Sequence, residues 1–329
     1  LPISEILKDK TAEAVTWIPE RGLVDPQYQD LVNKYQQSLI GYDVAKKALE
    51  AEKGSLTKDV VSAYTTCLKE YNNLNYARIN LNNTERQMQI SGIARTIGLI
   101  DDYEFQKMDT GLIVLREQVK AQEAVYDSTV ASLRSLLGKE DGWKPELTSR
   151  PVISIYPRKS LDTELSRAAN ESILLLEKKA NYEVEKSKEH WVLPNQNPDI
   201  KNIDLELSSI DYEQARRDTK STIESLYWAI NALEGQVEAA QKAYKMAEKD
   251  LHIAELEYEL GMIPKYLLKP EGNAMVSVKI GYEKARIDLE NYRVDLIQAK
   301  ARFAILTGQQ VYSADDWNDA TPVETPNVK

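Results

Sequence analysis

The 329-residue sequence predicts an all-α, elongated protein of coiled-coil-like helical hairpins in two internal repeats. The first observation behind this is a seam: from Ile223 to Tyr258 apolar and small residues fall at Ile223, Leu226, Ile230, Leu233, Val237, Ala240, Tyr244, Ala247, Leu251, Ala254 and Tyr258, in unbroken steps of three and four. Only a long helix packed against other helices can use a heptad pattern sustained this far. The second is that the same pattern recurs at a fixed shift of 163 residues, with Tyr64 on Tyr227, Cys67 on Ile230, Leu74 on Val237, Met88 on Leu251 and Gly98 on Gly261. The third is composition: 2 Phe against 18 Tyr, and 29% charged residues, suit long amphipathic helices better than a thick core.

In chain order, Ile3 to Trp17 carry a short helical pattern that stops before Pro19, and Gly22 and Pro26 punctuate the turn after it. A long helix is predicted from about Gln27 to Ile97, ending at Gly98. Asp101 and Asp102 are cap candidates for a return helix through Leu112, Val119, Tyr126, Leu133 and Leu136 to a stop at Gly138. Residues 1–138 thus form the first helical-hairpin repeat. Residues 139–160, broken by Pro145, Pro151 and Pro157, form the inter-repeat connection; Val152 to Tyr156 within it read as a short β segment.

The second repeat, 161–308, opens with a helix from Leu161 to about His190 and a turn holding Pro194, Asn195, Asn197, Pro198 and Asn202. A rod of about 85 Å, at 1.5 Å per residue, is expected from about Leu205 to Gly261. After the tip from Pro264 to Gly272, a return helix carries Tyr282, Leu289, Tyr292, Leu296, Phe303 and Leu306 to Gly308. Here the repeat shift grows to 170, because the second tip holds one extra heptad of residues. Residues 309–329 read as a loose C-terminal tail. A second stripe on the rod, Ala229, Ala232, Ala239, Ala243, Met246, Ile253 and Leu260, widens its apolar face and calls for a further neighbour.

Several function classes are disfavoured. A formal charge of −10 argues against nucleic-acid binding, which needs clustered Lys and Arg. Cys67 is the single cysteine and reads as a small core residue; His190 and His252 stand 62 positions apart, so neither a metal site nor another cofactor site is expected. There is no phosphate loop or dinucleotide fingerprint, and the many carboxylates read as solvated helix faces, so an enzyme is not expected. No apolar run approaches the length of a membrane-spanning helix.

Two long hairpins, each one continuous helix against two shorter ones end to end, resemble the TolC-like outer-membrane efflux protein family. The residues that carry the resemblance are the Ala-rich seam from Ala240 to Ala254, Gly261-Met262-Ile263 at a tip, and a return ending in Leu306-Thr307-Gly308. The family's tip motif, Val-Gly-Leu, matches Ile97-Gly98-Leu99 closely and Leu260-Gly261-Met262 conservatively. The resemblance implies a homotrimer with a hollow helical barrel, working as an export duct with an adaptor protein and an energised inner-membrane transporter. It also implies a place in the extracytoplasmic cell envelope, periplasm or cell surface, with a signal peptide removed. The adaptor is expected to bind Ile97, Gly98, Leu99 and Ile100 at one tip and Leu260, Gly261, Met262 and Ile263 at the other, with Asp101 and Asp102 as pore-mouth acids.

One departure concerns the membrane. The family inserts a β-hairpin of its barrel ahead of each long helix, whereas Trp191 to Asp204 and Ile18 to Pro26 are too short for two strands of about 9 to 11 residues each. This chain is therefore expected not to enter the membrane directly. The rival reading is a non-conducting coiled-coil spacer or docking scaffold of the envelope, which differs from the duct in having no closed ring.

Overall fold

A computed structural model describes residues 26–147, 149–150, 160–187, 198–267, 274–309, 311 and 321–322. Six helices hold nearly all of them: α1 (Pro26–Thr96), α2 (Asp102–Leu136), α3 (Leu161–Glu171), α4 (Ile173–Ser187), α5 (Pro198–Glu259) and α6 (Met275–Leu306). The fold is all-α. The predicted helix over 3–17 and the predicted β segment over 152–156 lie outside the described residues.

The two longest helices each begin on a proline, Pro26 and Pro198. Proline suits a first helical position, where its fixed φ is already helical and its missing N–H has no intrahelical partner to lose. That is why α5 starts seven residues before Leu205: Pro198, read as part of the turn, is instead its first residue. The predicted helix from Leu161 to His190 is in fact two helices, broken at Ser172, whose backbone is extended (φ −65°, ψ 120°). The predicted loose tail is pinned at one point, where β2 (Thr321–Pro322) pairs antiparallel with β1 (Ser149–Arg150).

Four helix ends share one backbone device. Gly98, Gly138, Gly261 and Gly308 all adopt positive φ. At each, the residue after the glycine donates its N–H to a carbonyl five positions back, as Leu99 does to Ala94 (2.8 Å) and Met262 to Glu257 (2.7 Å). Each glycine N–H meanwhile bonds three positions back, Gly98 to Arg95 and Gly261 to Tyr258 at 3.0 Å. This is the Schellman ending, which satisfies the last carbonyls of the helix. Its recurrence at shifts of 163 and 170 carries the sequence repeat down to individual hydrogen bonds.

The chain divides into two compact units, and each draws on both repeats. Unit 1 comprises Leu1–Ser55, Pro157–Ser225 and Ala304–Gln309. Its core includes Ala168, Ile223, Ala304 and the polar Glu164 and Thr307, all nearly inaccessible to solvent. The Gln309 amide nitrogen donates to Glu164 (3.3 Å) and Thr307 (3.0 Å), so the buried carboxylate has a partner besides Arg167 (3.2 Å). Lys178 of α4 pairs with Asp211 of α5 at 2.9 Å, and Tyr182 stacks on Tyr212. Gly308 sits so close to α3 that a Cβ there would lie 2.3 Å from that of Glu171.

Unit 2 comprises Leu56–Tyr156, Leu226–Phe303 and Gln310–Lys329. Within it Cys67 and Leu68 of α1 pack with Val130 and Leu133 of α2 and with Leu147, flanked by Tyr64, Tyr71, Tyr126 and Trp143. Each fully buried Leu or Val of this kind stabilises the fold by about 1.5 to 3 kcal/mol. Burial pushes the Cys67 thiol above its ordinary pKa, against a smaller lowering by the Thr129 hydrogen bond.

Polar contacts link the helices of unit 2 in series. Arg78 and Glu85 of α1 pair with Glu123 and Arg116 of α2 at 2.7 and 2.8 Å. Gln298, Asp295 and Asn291 of α6 meet Thr66, Lys69 and Asn73 of α1 at 3.0, 2.8 and 3.1 Å. Lys300 of α6 pairs with Glu234 of α5, and the Tyr282 and Tyr244 hydroxyls meet at 2.9 Å.

Candidate functional site: the paired hairpin tips and the exposed stripe

Both tips belong to unit 2. In the first, Gly98 (φ 76°) ends α1, and no atom lies within 4 Å of where its Cβ would stand. The chain therefore turns in open space, presenting Ile97 and Leu99 at 63% and 41% exposure. Ile100 is different: the reversal at Gly98 turns the chain back into the hairpin by that residue, and Ile100 is 4% exposed. In the second tip Gly261 (φ 72°) plays the same part, Leu260 and Met262 are 74% and 70% exposed, and Ile263 is half-buried.

The two acids after the first tip do separate things. Asp101 is the N-cap of α2, its carboxylate accepting from the Glu104 N–H at 2.7 Å. Such a cap satisfies one of the orphan donors of the first turn and sets negative charge at the positive end of the helix. Asp102 accepts from Arg95 Nε at 2.6 Å, and the Arg95 guanidinium lies 4.9 Å from the centre of the Phe105 ring. Arg95 and Phe105 thus brace the tip, a role that helix periodicity does not reveal. Both acids remain exposed.

A second surface lies along α5. Its primary seam, Ile223 through Ala254, is buried or half-buried at every position. Every member of its second stripe, Ala229, Ala232, Ala239, Ala243, Met246, Ile253 and Leu260, is exposed. On α2, Ile113, Val114 and Val125 are likewise about half exposed. Among the described residues no group of three His, Cys, Asp or Glu stands close enough to hold a metal ion, and His190 lies outside them. No helix among them is long and apolar enough to cross a membrane.

No protein-family model matches the chain, and no curated protein sequence matches it. Solved structures do. The Campylobacter jejuni CmeC outer membrane channel superposes with a TM-score of 0.55 at 13% identity, over 87% of this chain and 70% of that one. CusC, solved in connection with transmembrane channel formation, gives 0.64 at 13% identity over 83% and 82%. The Vibrio cholerae outer membrane protein VceC gives 0.58 at 11% identity over 84% and 75%. The chain has the helical fold of the TolC-like outer-membrane efflux channels.

Proposed function

We propose that this chain, built on the fold of outer-membrane efflux channels, forms the helical wall of an export duct in the cell envelope, several copies closing into a ring. The observation that carries the reading is the exposed second stripe of α5: six apolar or small residues in helical register from Ala229 to Ile253, outside a seam that is already covered. A stripe with Ala at four of six positions admits another helix at close approach, and a ring of copies covers it on every protomer. The fold shared with CmeC, an outer membrane channel, and with CusC, solved in connection with transmembrane channel formation, supports a hollow interior, and the family resemblance implies three copies.

In this reading Ile97, Leu99, Leu260 and Met262 form the apolar contact for an adaptor, shaped by Gly98 and Gly261 and backed by Ile100 and Ile263. Asp101 and Asp102 stand beside it as acids at the duct mouth. An inner-membrane transporter, reached through the adaptor, supplies the energy, and no bond chemistry is involved. Ten residues separate α4 from α5. Two transmembrane strands of about 9 to 11 residues each do not fit that length, so this connection would not supply a pair of barrel strands.

Sedimentation at high micromolar concentration tests the proposal. A trimer is expected, with a central channel in electron micrographs; a protein that stays monomeric would leave the spacer reading in its place.

A further inference from the structure

Helix α2 begins four positions after Gly98, but α6 begins fourteen positions after Gly261, and part of this surplus chain builds a wall. Met275 donates its N–H to the Pro264 carbonyl (3.1 Å) and Val276 to that of Lys265 (3.3 Å), which folds the near part of the connection back. Gln87 of α1 meets the residues that follow: its Oε1 accepts from the Leu267 N–H at 3.2 Å, and its Nε2 donates to the Leu267 carbonyl. Between this wall and the helices, within unit 2, lies a recess of about 290 Å³. Ligand pockets begin at roughly 300 Å³, so the recess suits a molecule of one or two rings.

The lining decides which molecule. Met108 of α2, Val276 and Ile280 of α6, and Tyr266 and Leu267 of the connection supply apolar surface, and among the described residues no Asp, Glu, Lys or Arg lines the recess. Most of its polar side chains are already engaged. The Thr84 hydroxyl donates to the Asn80 carbonyl (2.8 Å), the Ser277 hydroxyl to the Ala274 carbonyl (2.7 Å), and the Gln87 amide is taken by Leu267. The Tyr266 hydroxyl accepts from Arg86 Nη1 at 3.4 Å. Asn83 is the exception: half-buried on the wall, it has no hydrogen-bond partner among the described residues.

Water in such a recess finds few partners, so apolar atoms displace it favourably. A charged ligand is disfavoured, because nothing in the wall would replace its hydration. An aromatic ring gains more than an aliphatic chain, since Tyr266 offers a ring and Met108 a thioether, and both favour aromatic neighbours. We propose that the recess binds a small neutral aromatic molecule with one hydrogen-bonding group, of the indole or phenol class. Its ring lies among Met108, Tyr266 and Ile280, and its polar group meets the Asn83 amide. The site stands apart from the duct reading, because a single protomer supplies every wall.

The test uses the full chain labelled with 13C at its methionine methyl groups, because Met108 lines the recess while Met246 and Met262 are exposed. Indole is titrated, and toluene serves as an aromatic ring without a hydrogen-bonding group. The Met108 signal, assigned with Met108→Leu, should shift saturably with both probes, and the Met246 and Met262 signals should not. Asn83→Leu should weaken indole binding about 5- to 10-fold without weakening that of toluene. Ile280→Phe, which fills the recess, should abolish saturation by either probe at unchanged helicity. If Ile280→Phe folds poorly, Asn83→Leu carries the test. Shifts that stay linear with concentration, that appear equally at Met246 and Met262, or that both variants leave unaltered overturn the proposal. So does the absence of any response to either probe, which would leave the recess to a protein side chain.

Discussion

At the scale of single residues, equivalent glycines of the two repeats meet different surroundings. Gly138 and Gly308 both hold a left-handed conformation at the end of a return helix, φ 61° and 66°. Gly138 has open space where a Cβ would go, whereas Gly308 has the Glu171 Cβ at 2.3 Å. Gly138→Ala should therefore cost only the conformational penalty, about 1 to 2 kcal/mol. Gly308→Ala should cost clearly more, because the backbone of α3 beside Ser172 must also shift; urea midpoints of the two variants compare them directly. Equal midpoints would mean that the junction yields freely. Cys67 and Tyr126 give a pH signature. Burial raises both pKa values, and a charge on Cys67 raises that of Tyr126 further. A raised folded-state pKa contributes stability that is complete below the unfolded value and lost as pH rises through the folded one. The melting temperature should then fall above pH ~8.5, the ordinary thiol range, and fall less steeply in Cys67→Ala.

At the scale of elements, the two stripes of α5 make opposite predictions for one substitution. Ala239 lies on the exposed stripe, so Ala239→Glu should leave the protomer's stability within about 0.5 kcal/mol while weakening self-association in sedimentation. Ala254 is 3% exposed on the covered seam. Ala254→Glu buries a charge and should cost several kcal/mol in thermal unfolding followed by circular dichroism. If Ala239→Glu assembles normally, the exposed stripe is not the contact. Those two stripes were legible in the sequence because a coiled-coil period is a local signal, repeated often enough to survive exceptions such as exposed Tyr258. So were the four glycine stops, since a left-handed residue at a helix end strongly favours Gly. The break at Ser172 was not legible: Gly308, whose close approach marks it, is more than a hundred residues away. The hydrogen bonds between the Gln87 side chain and the Leu267 backbone were hidden for the same reason, the two residues lying 180 positions apart. The early start of α5 was missed for another, because proline marks turns and first helical residues alike.

At the scale of the whole molecule, the tips separate an adaptor contact from a packing role. Leu99→Asp with Met262→Asp changes two exposed side chains and should abolish adaptor binding and export while leaving the melting temperature nearly unchanged. Ile100→Asp, a change at a buried position, should lower the melting temperature by itself. A double variant that melts early, or exports normally, would reduce the tips to helix ends. The polar pairs between α1 and α6 have a different consequence. Thr66 with Gln298, Lys69 with Asp295 and Asn73 with Asn291 all belong to one alignment of two antiparallel helices. Apolar heptads are indifferent to a slip of seven residues, because every slip of that size lays one seam on another. The polar pairs are not indifferent: sliding α6 by seven in one sense sets Lys69 opposite Arg302 and Thr66 opposite Ile305. Leucines and alanines tell these helices to pack, and three pairs of hydrophilic side chains tell them where to stop sliding.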